Sequence, residues 1–377
     1  SDLLTKNPKD VQALMLTGVL YDLQKQYAPA RENYEKLLAI NPDFSPALNN
    51  LAYLYSERLN LLDKAYETAQ HARELLPQEP HTADTLGWIL YKRHDYPRAL
   101  SFLQDSAEKL PEEAEVQFHV GMTHYMMGEE DAARDAFQRA LKIRKDFTGA
   151  DEATQRLAVL TLDTKGADAR AALEKVVAAQ PGDPVALARL ASVYEREGAA
   201  DKSIATYQKA LEINPANVEV MLGLIRLNAG RKDTAKAFEL AKAARKVAPE
   251  DPDVAHALGR LAFQTGDYQW ASNLLQQAVL KQPDDPGLLY DLALSSYSVG
   301  RVDDAVGAAR RALELSPTFP DATKARHFMD FVALSADPAQ AANASAKIEQ
   351  AVKTDAADVP ALMALGALDE QKQDSGA

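Results

Sequence analysis

Prolines return along this chain on a fixed beat, at Pro8, Pro42, Pro77, Pro111, Pro181, Pro215, Pro249, Pro283 and Pro317. The steps between them are 34, 35, 34, 70, 34, 34, 34 and 34 residues, and Lys145 stands where the missing proline is due. A period of 34 is that of a helix-turn-helix solenoid, in which each unit buries its apolar face only against its neighbours. The 377 residues are therefore expected to form one all-α solenoid array rather than two or three globular domains.

One well-formed unit spans residues 184–217. Leu187, Leu190, Ala191 and Tyr194 recur at three- and four-residue spacing and mark one apolar helix face. Gly198 closes that helix, and Asp201 suits the start of the next. Ile204, Tyr207, Ala210 and Leu211 form the second stripe, and Asn214-Pro215 ends it, because proline disfavours helical geometry in the residue before it.

These units resemble the tetratricopeptide repeat (TPR) family. That family has a small residue eighth, an aromatic near eleventh, alanine twentieth, an aromatic twenty-fourth, a small residue twenty-seventh and proline thirty-second. Residues 11–44 match with Gly18, Tyr21, Ala30, Tyr34 and Pro42. Gly87, Ala99, Ala107 and Pro111 repeat the pattern, as do Gly121, Ala133, Phe137 and Ala140. Gly259, Ala271, Ala278 and Pro283 follow, then Ala293, Ala305, Ala312 and Pro317. Small residues where two helices cross let the backbones approach. The resemblance implies a right-handed α-solenoid of nine units.

Two units depart from the pattern. The second carries one extra residue in 56–62, which lengthens its inter-helix turn. The fifth has Leu157 in place of the small residue and Leu173 in place of the aromatic. The expected organisation is a sub-array over 1–147 (the tail of a preceding helix plus four repeats), then a degenerate repeat and hinge over 148–183. A second sub-array of four repeats covers 184–319, and a degenerate helix pair (320–336 and 339–355) with a capping helix (359–371) covers 320–377. Leu3 to Pro8 reads as the end of an earlier helix, so the array is expected to begin inside a longer protein.

Composition narrows the function. A net charge of −13 disfavours nucleic acid, which needs clustered Lys and Arg, and disfavours anionic lipid surfaces. No run of 18 apolar residues is present, so no membrane insertion is expected, and Ser1-Asp2-Leu3-Leu4 is not a signal peptide. With no cysteine there are no disulfides, thiolate metal sites or cysteine nucleophiles, which leans toward a bacterial periplasm or envelope over the cytoplasm. His119 and His124 are five apart, whereas helical metal pairs are four apart. Phosphate-loop, nucleophile-elbow and calcium-loop motifs are absent. The chain is expected to be no enzyme, with no catalytic residue, metal or cofactor.

In the TPR fold the first helix of each unit lines a concave groove through its second, fifth, sixth, ninth, twelfth and thirteenth positions. In units two to four these positions include Tyr53, Trp88, Tyr91, Phe118, His119, Met122, Tyr125 and Met126, side chains suited to recognition surfaces. In units six to eight they include Arg189, Arg196, Arg226, His256 and Arg260, a strip able to grip carboxylates, or to pair with Glu195, Glu219 or Asp253 along the same groove.

Two subfamily patterns are missing. The chaperone-clamp positions hold Met15, Val19, Asn50, His81 and Thr85, of which only Asn50 fits. The asparagine ladder of the O-linked N-acetylglucosamine transferase arm is replaced by Leu16, Asn50, Thr85, His119, Gln155, Arg189, Gly223, Ala257 and Asp291. Residues 47–53 and 83–88 are similar to bacterial envelope TPR proteins of exopolysaccharide export and exosortase (PEP-CTERM) systems. The expected function is a protein-protein interaction scaffold holding a partner segment, with an acidic stretch, in its groove. The alternative is a recruiting arm of a larger enzyme such as a glycosyltransferase, and self-association through the end repeats is a further expectation.

Overall fold

The computed structural model describes residues 4–5, 7–356 and 358–374. Over them the chain is helical, with no strand, and clusters into two compact units, Ser1–Asn217 and Val218–Ala377. Residues 148–183 lie inside the first unit.

The first unit contains α1 (Val11–Leu23), α2 (Tyr27–Ile40), α3 (Ser45–Glu57), α4 (Leu62–Leu75), α5 (Pro80–Lys92) and α6 (Tyr96–Lys109). It continues with α7 (Ala114–Met127), α8 (Glu130–Ile143), α9 (Ala150–Thr161), α10 (Ala169–Ala179), α11 (Pro184–Arg196) and α12 (Ala200–Ile213). Short turns join the helices into hairpins, as the period requires. The turn between α3 and α4 is one residue longer than that between α1 and α2, as the inserted residue predicts.

Where the eighth residue of a repeat is glycine it does what the pattern implies, although Ile225 holds this position in the repeat beginning at 218. A Cβ on Gly18 would lie 2.6 Å from the Tyr34 ring, and one on Gly121 would lie 2.7 Å from Phe137. The eighth and twenty-fourth positions thus interlock across the hairpin, and only a missing side chain admits the ring.

The fifth repeat lacks this fit, and its helices separate. Helix α9 packs on α8 and α7, whereas α10 packs on α11; α9 and α10 hardly touch. Leu157, at the position held by Gly18, Gly87, Gly121 and Gly259 in other repeats, packs instead against the core around Phe118 and Tyr125. With the pair splayed, α11 reaches back to α7 of the fourth repeat.

The second unit holds three regular hairpins: α13 (Val218–Gly230) with α14 (Thr234–Val247), α15 (Pro252–Gln264) with α16 (Tyr268–Lys281), and α17 (Pro286–Ser298) with α18 (Val302–Leu315). Asp251 and Asp285 cap α15 and α17, accepting hydrogen bonds from the Val254 and Leu288 amides at 2.9 Å, with Pro at the first helical position of each. Aspartate satisfies an otherwise orphaned donor, and proline has none to lose.

Beyond the repeats lie α19 (Ala322–Ala336), α20 (Pro338–Asn343), α21 (Ser345–Thr354) and α22 (Val359–Asp374). The expected single helix over 339–355 is broken at Ala344, and the principal partner of α19 is α22. Phe331, Ile348, Ala361, Ala364 and Leu368 make the small core that holds this end together.

Candidate partner-binding groove

Inner positions of the first helices do line concave recesses in both units. In the first unit, Asn49, Asn50 and Tyr53 of α3, His81 and Asp84 of α5, Asp22 of α1 and Glu115 of α7 surround a recess of about 520 Å³. Its charged groups are almost all acidic, since Glu79 also borders it. Burial holds the Asp22 carboxyl above its ordinary range, and the nearby Arg58 charge partly offsets this.

In the second unit, Glu219, Leu222 and Arg226 of α13 face Asp253, His256 and Arg260 of α15 across a recess of about 540 Å³. His256 Nε2 lies 2.7 Å from Asp291 Oδ2, and Arg260 Nε lies 3.4 Å from the same oxygen. Asp253 accepts from Gln282 at 3.1 Å. Arg226 and Arg260 are exposed, the latter with 58% of its side chain accessible.

The order of elements and the register of these recesses are those of one repeat family, and sequence comparison decides it. Family models described as tetratricopeptide repeat match residues 12–43 and 33–71, and a third matches 85–146, 164–218 and 256–320, together more than half of the chain. The chain belongs to the tetratricopeptide repeat family. TPR folds are typically binding rather than catalytic modules.

A TPR repeat-containing protein of Pseudomonas aeruginosa, PA4667, is 28% identical over 118 residues, 31% of this chain. The matched stretch is about a fifth of that relative's length. Among solved structures, Pseudomonas aeruginosa pilF aligns at 16% identity and a TM-score of 0.33, covering 65% of this chain and 94% of that one. The Cut9–Hcn1 hetero-tetramer aligns at 14% identity and a TM-score of 0.38, covering 95% and 96%.

The TPR register places the expected groove residues unevenly. Arg226, His256 and Arg260 come together as described, and Tyr53 borders the acidic recess with Arg58 5.9 Å from its ring. Trp88 is half-buried, stacked on Tyr91 at 4.4 Å and on His119 at 4.1 Å, and donates its indole N–H to Glu57 at 3.0 Å. Tyr91 is also half-buried, and burial raises its phenol above the ordinary value.

Phe118, Met122 and Tyr125 are not groove residues. They are 4%, 2% and 0% exposed and belong to a core with Phe147, Ala150, Val185 and Ala186. The cause is the splayed fifth repeat, which lets α9 and α11 cover the inner face of α7. The Tyr125 hydroxyl donates to Asp183 at 2.8 Å, and Arg156 Nη1 lies 2.5 Å from the same carboxylate. Asp183 is fully buried and also caps α11 by accepting from the Ala186 amide at 2.9 Å.

Arg189 and Arg196 both bond within the chain, Arg189 with its side chain 15% exposed and Arg196 exposed. Arg189 holds Glu130 Oε2 at 2.7 Å and donates to the carbonyls of Leu160 and Leu162 at 2.8 and 3.1 Å. Arg196 donates to the Thr164 carbonyl. Arg189 thus pairs within the chain, with Glu130.

The register also contained cavity-lining positions that sequence reasoning passed over. Tyr290, Leu294 and Tyr297 occupy the fifth, ninth and twelfth positions of the unit beginning at 286, and all three line a cavity. Their inner-position spacing was the available signal.

Proposed function

We propose that this TPR array is a non-catalytic scaffold that takes a segment of a protein partner along the concave side of residues 218–298. The convergence of Arg226, His256 and Arg260 on one recess beside Leu222 and Ile225 carries this reading. Guanidinium forks beside an apolar floor suit a carboxylate-bearing peptide, because they offer paired donors and exclude water around them. A role in an envelope-associated assembly is supported by the resemblance of residues 47–53 and 83–88 to envelope TPR proteins.

The test is affinity capture from the native source with mass spectrometry, comparing the unaltered protein with an Arg226→Glu/Arg260→Glu variant of matched thermal stability. Loss of a specific partner in the variant supports the assignment. Capture of the same partner at the same yield would sink it. Arg189 is left intact because it holds the first unit together.

A further inference from the structure

The recess at Arg260 opens onto a longer trough within the second unit. Arg260, Phe263 and Gln264 of α15 with Asp291 and Leu294 of α17 line a further pocket of about 180 Å³. Phe263 and Leu294 are also walls of a cavity of about 710 Å³, completed by Tyr290, Tyr297, His327 and Phe331. Its far wall, from α19 and α21, comes from outside the 34-residue repeats, so this cavity is not a feature that the repeat pattern supplies.

The charged groups around the cavity already have partners. His327 Nε2 lies 2.5 Å from Asp358 Oδ2. Lys347 lies 3.0 Å from Asp330 and stands 5.4 Å from the centre of the Phe331 ring. Lys324 lies 2.8 Å from Asp321. Burial pushes the Tyr290 phenol up to about 12, with the Asp321 charge adding to it, so the ring presents a neutral face. An apolar occupant would displace water here without breaking any of these pairs, whereas a polar one would have to replace them.

At the other end of the trough Arg260 is differently placed. Only its Nε has an ionic partner among the described residues, and that carboxylate is held more closely by His256. Its planar fork is thus directed by a weak anchor and is largely in water, suited to an incoming carboxylate.

We infer that the cavity between α17, α19 and α21 is the anchor site for an apolar segment of a protein partner, and that an acidic residue flanking that segment pairs with Arg260. This rests on the reading of the groove as a partner surface and names the partner's chemistry. The shared walls at Arg260, Phe263 and Leu294 make the two subsites one continuous trough, which a peptide spans and a small molecule does not.

Fluorescence anisotropy of the intact chain with three short fluorescein-labelled peptides tests it. One joins Leu-Phe-Leu-Phe to Asp-Glu-Asp-Glu, one joins the acidic run to Ser and Gly, and one joins the apolar run to Lys. The first should bind about tenfold more tightly than either of the others, since one buried apolar side chain is worth that factor. Tyr297→Ala should weaken it by about tenfold. Arg260→Glu should reverse the preference between the mixed peptide and the lysine-bearing one, which share the same apolar run. Leu294→Asn replaces Tyr297→Ala should the latter lower the melting temperature.

If the acidic peptide binds as tightly as the mixed one and neither cavity variant matters, the anchor site is overturned while the groove reading survives. Equal binding of the lysine-bearing peptide overturns the Arg260 pairing. If no peptide binds but 8-anilinonaphthalene-1-sulfonate does, the cavity is a small-amphiphile site and the inference fails. Failure of the native capture with retained peptide binding would instead remove the functional reading alone.

Discussion

Arg189 grips Glu130 from 59 residues away, with Nη2 at 2.7 Å and Nε at 3.1 Å from the same carboxylate oxygen. The pair joins the sixth repeat to the fourth and passes over the fifth. With side-chain exposures of 15% and 31% it is partly shielded from solvent, unlike the surface pairs along single helices. A double-mutant cycle with Arg189→Met and Glu130→Gln should show a coupling of about 1–2 kcal/mol in urea unfolding. Additive single effects would show that the contact is incidental.

Asp183 is the more severe position. Its carboxylate serves Tyr125, Arg156 and the Ala186 amide together, and burial lifts the Tyr125 phenol above its ordinary value, with the Asp183 charge adding to it. Asp183→Ala leaves the Arg156 charge poorly compensated and should destabilise by about 3–5 kcal/mol. Tyr125→Phe removes one hydrogen bond and should cost about 1 kcal/mol. Chemical denaturation followed by circular dichroism separates the two magnitudes.

The interlock of Gly121 with Phe137 predicts a steep size dependence. Gly121→Val puts atoms where the ring already sits and should cost about 1–3 kcal/mol through overpacking. Gly182→Ala, where an added Cβ meets nothing within 4 Å, should fall within about 0.5 kcal/mol of the parent. Thermal melts of both variants provide the comparison.

Left-handed turn residues offer a stabilising change. Gly198, Gly266 and Gly300 take positive φ between paired helices, and Lys232 takes the same conformation at φ 63° without being glycine. Lys232→Gly relieves the clash of a Cβ in that conformation and should raise stability by up to about 1 kcal/mol. An unchanged or lower melting temperature would contradict this.

The acidic recess gives a pH signature. Burial raises the Asp22 carboxyl, so ionisation is harder in the folded than in the unfolded chain. Above the raised value the charged group therefore destabilises, and this penalty fades as pH falls through it. Asp22→Asn should raise the melting temperature at pH 7, and the difference should vanish in acid below the ordinary aspartate value of 3.8. A larger difference in acid would reverse the sign of the argument.

The proline beat made the register legible, and of the inner positions it marks, Tyr53, Arg226, His256 and Arg260 line recesses. It could not reveal that Phe118, Met122 and Tyr125, at equivalent positions, are covered. That depends on α11 folding back onto α7, a tertiary contact that the repeat pattern does not encode. The cavity at Tyr290 and Tyr297 was half-written in the register, but its other wall comes from α19 and α21, where the period has ended.

The bridge over the fifth repeat has a mechanical meaning. An array in which each repeat touches only the next can be peeled open one hairpin at a time from either end. In the first unit, tension applied to the ends of α1 and α12 meets Arg189–Glu130 and the Asp183 cluster in parallel with the splayed repeat. An optical-tweezer trace should therefore show repeats four to six giving way as a single large extension step, at a force well above that of their neighbours.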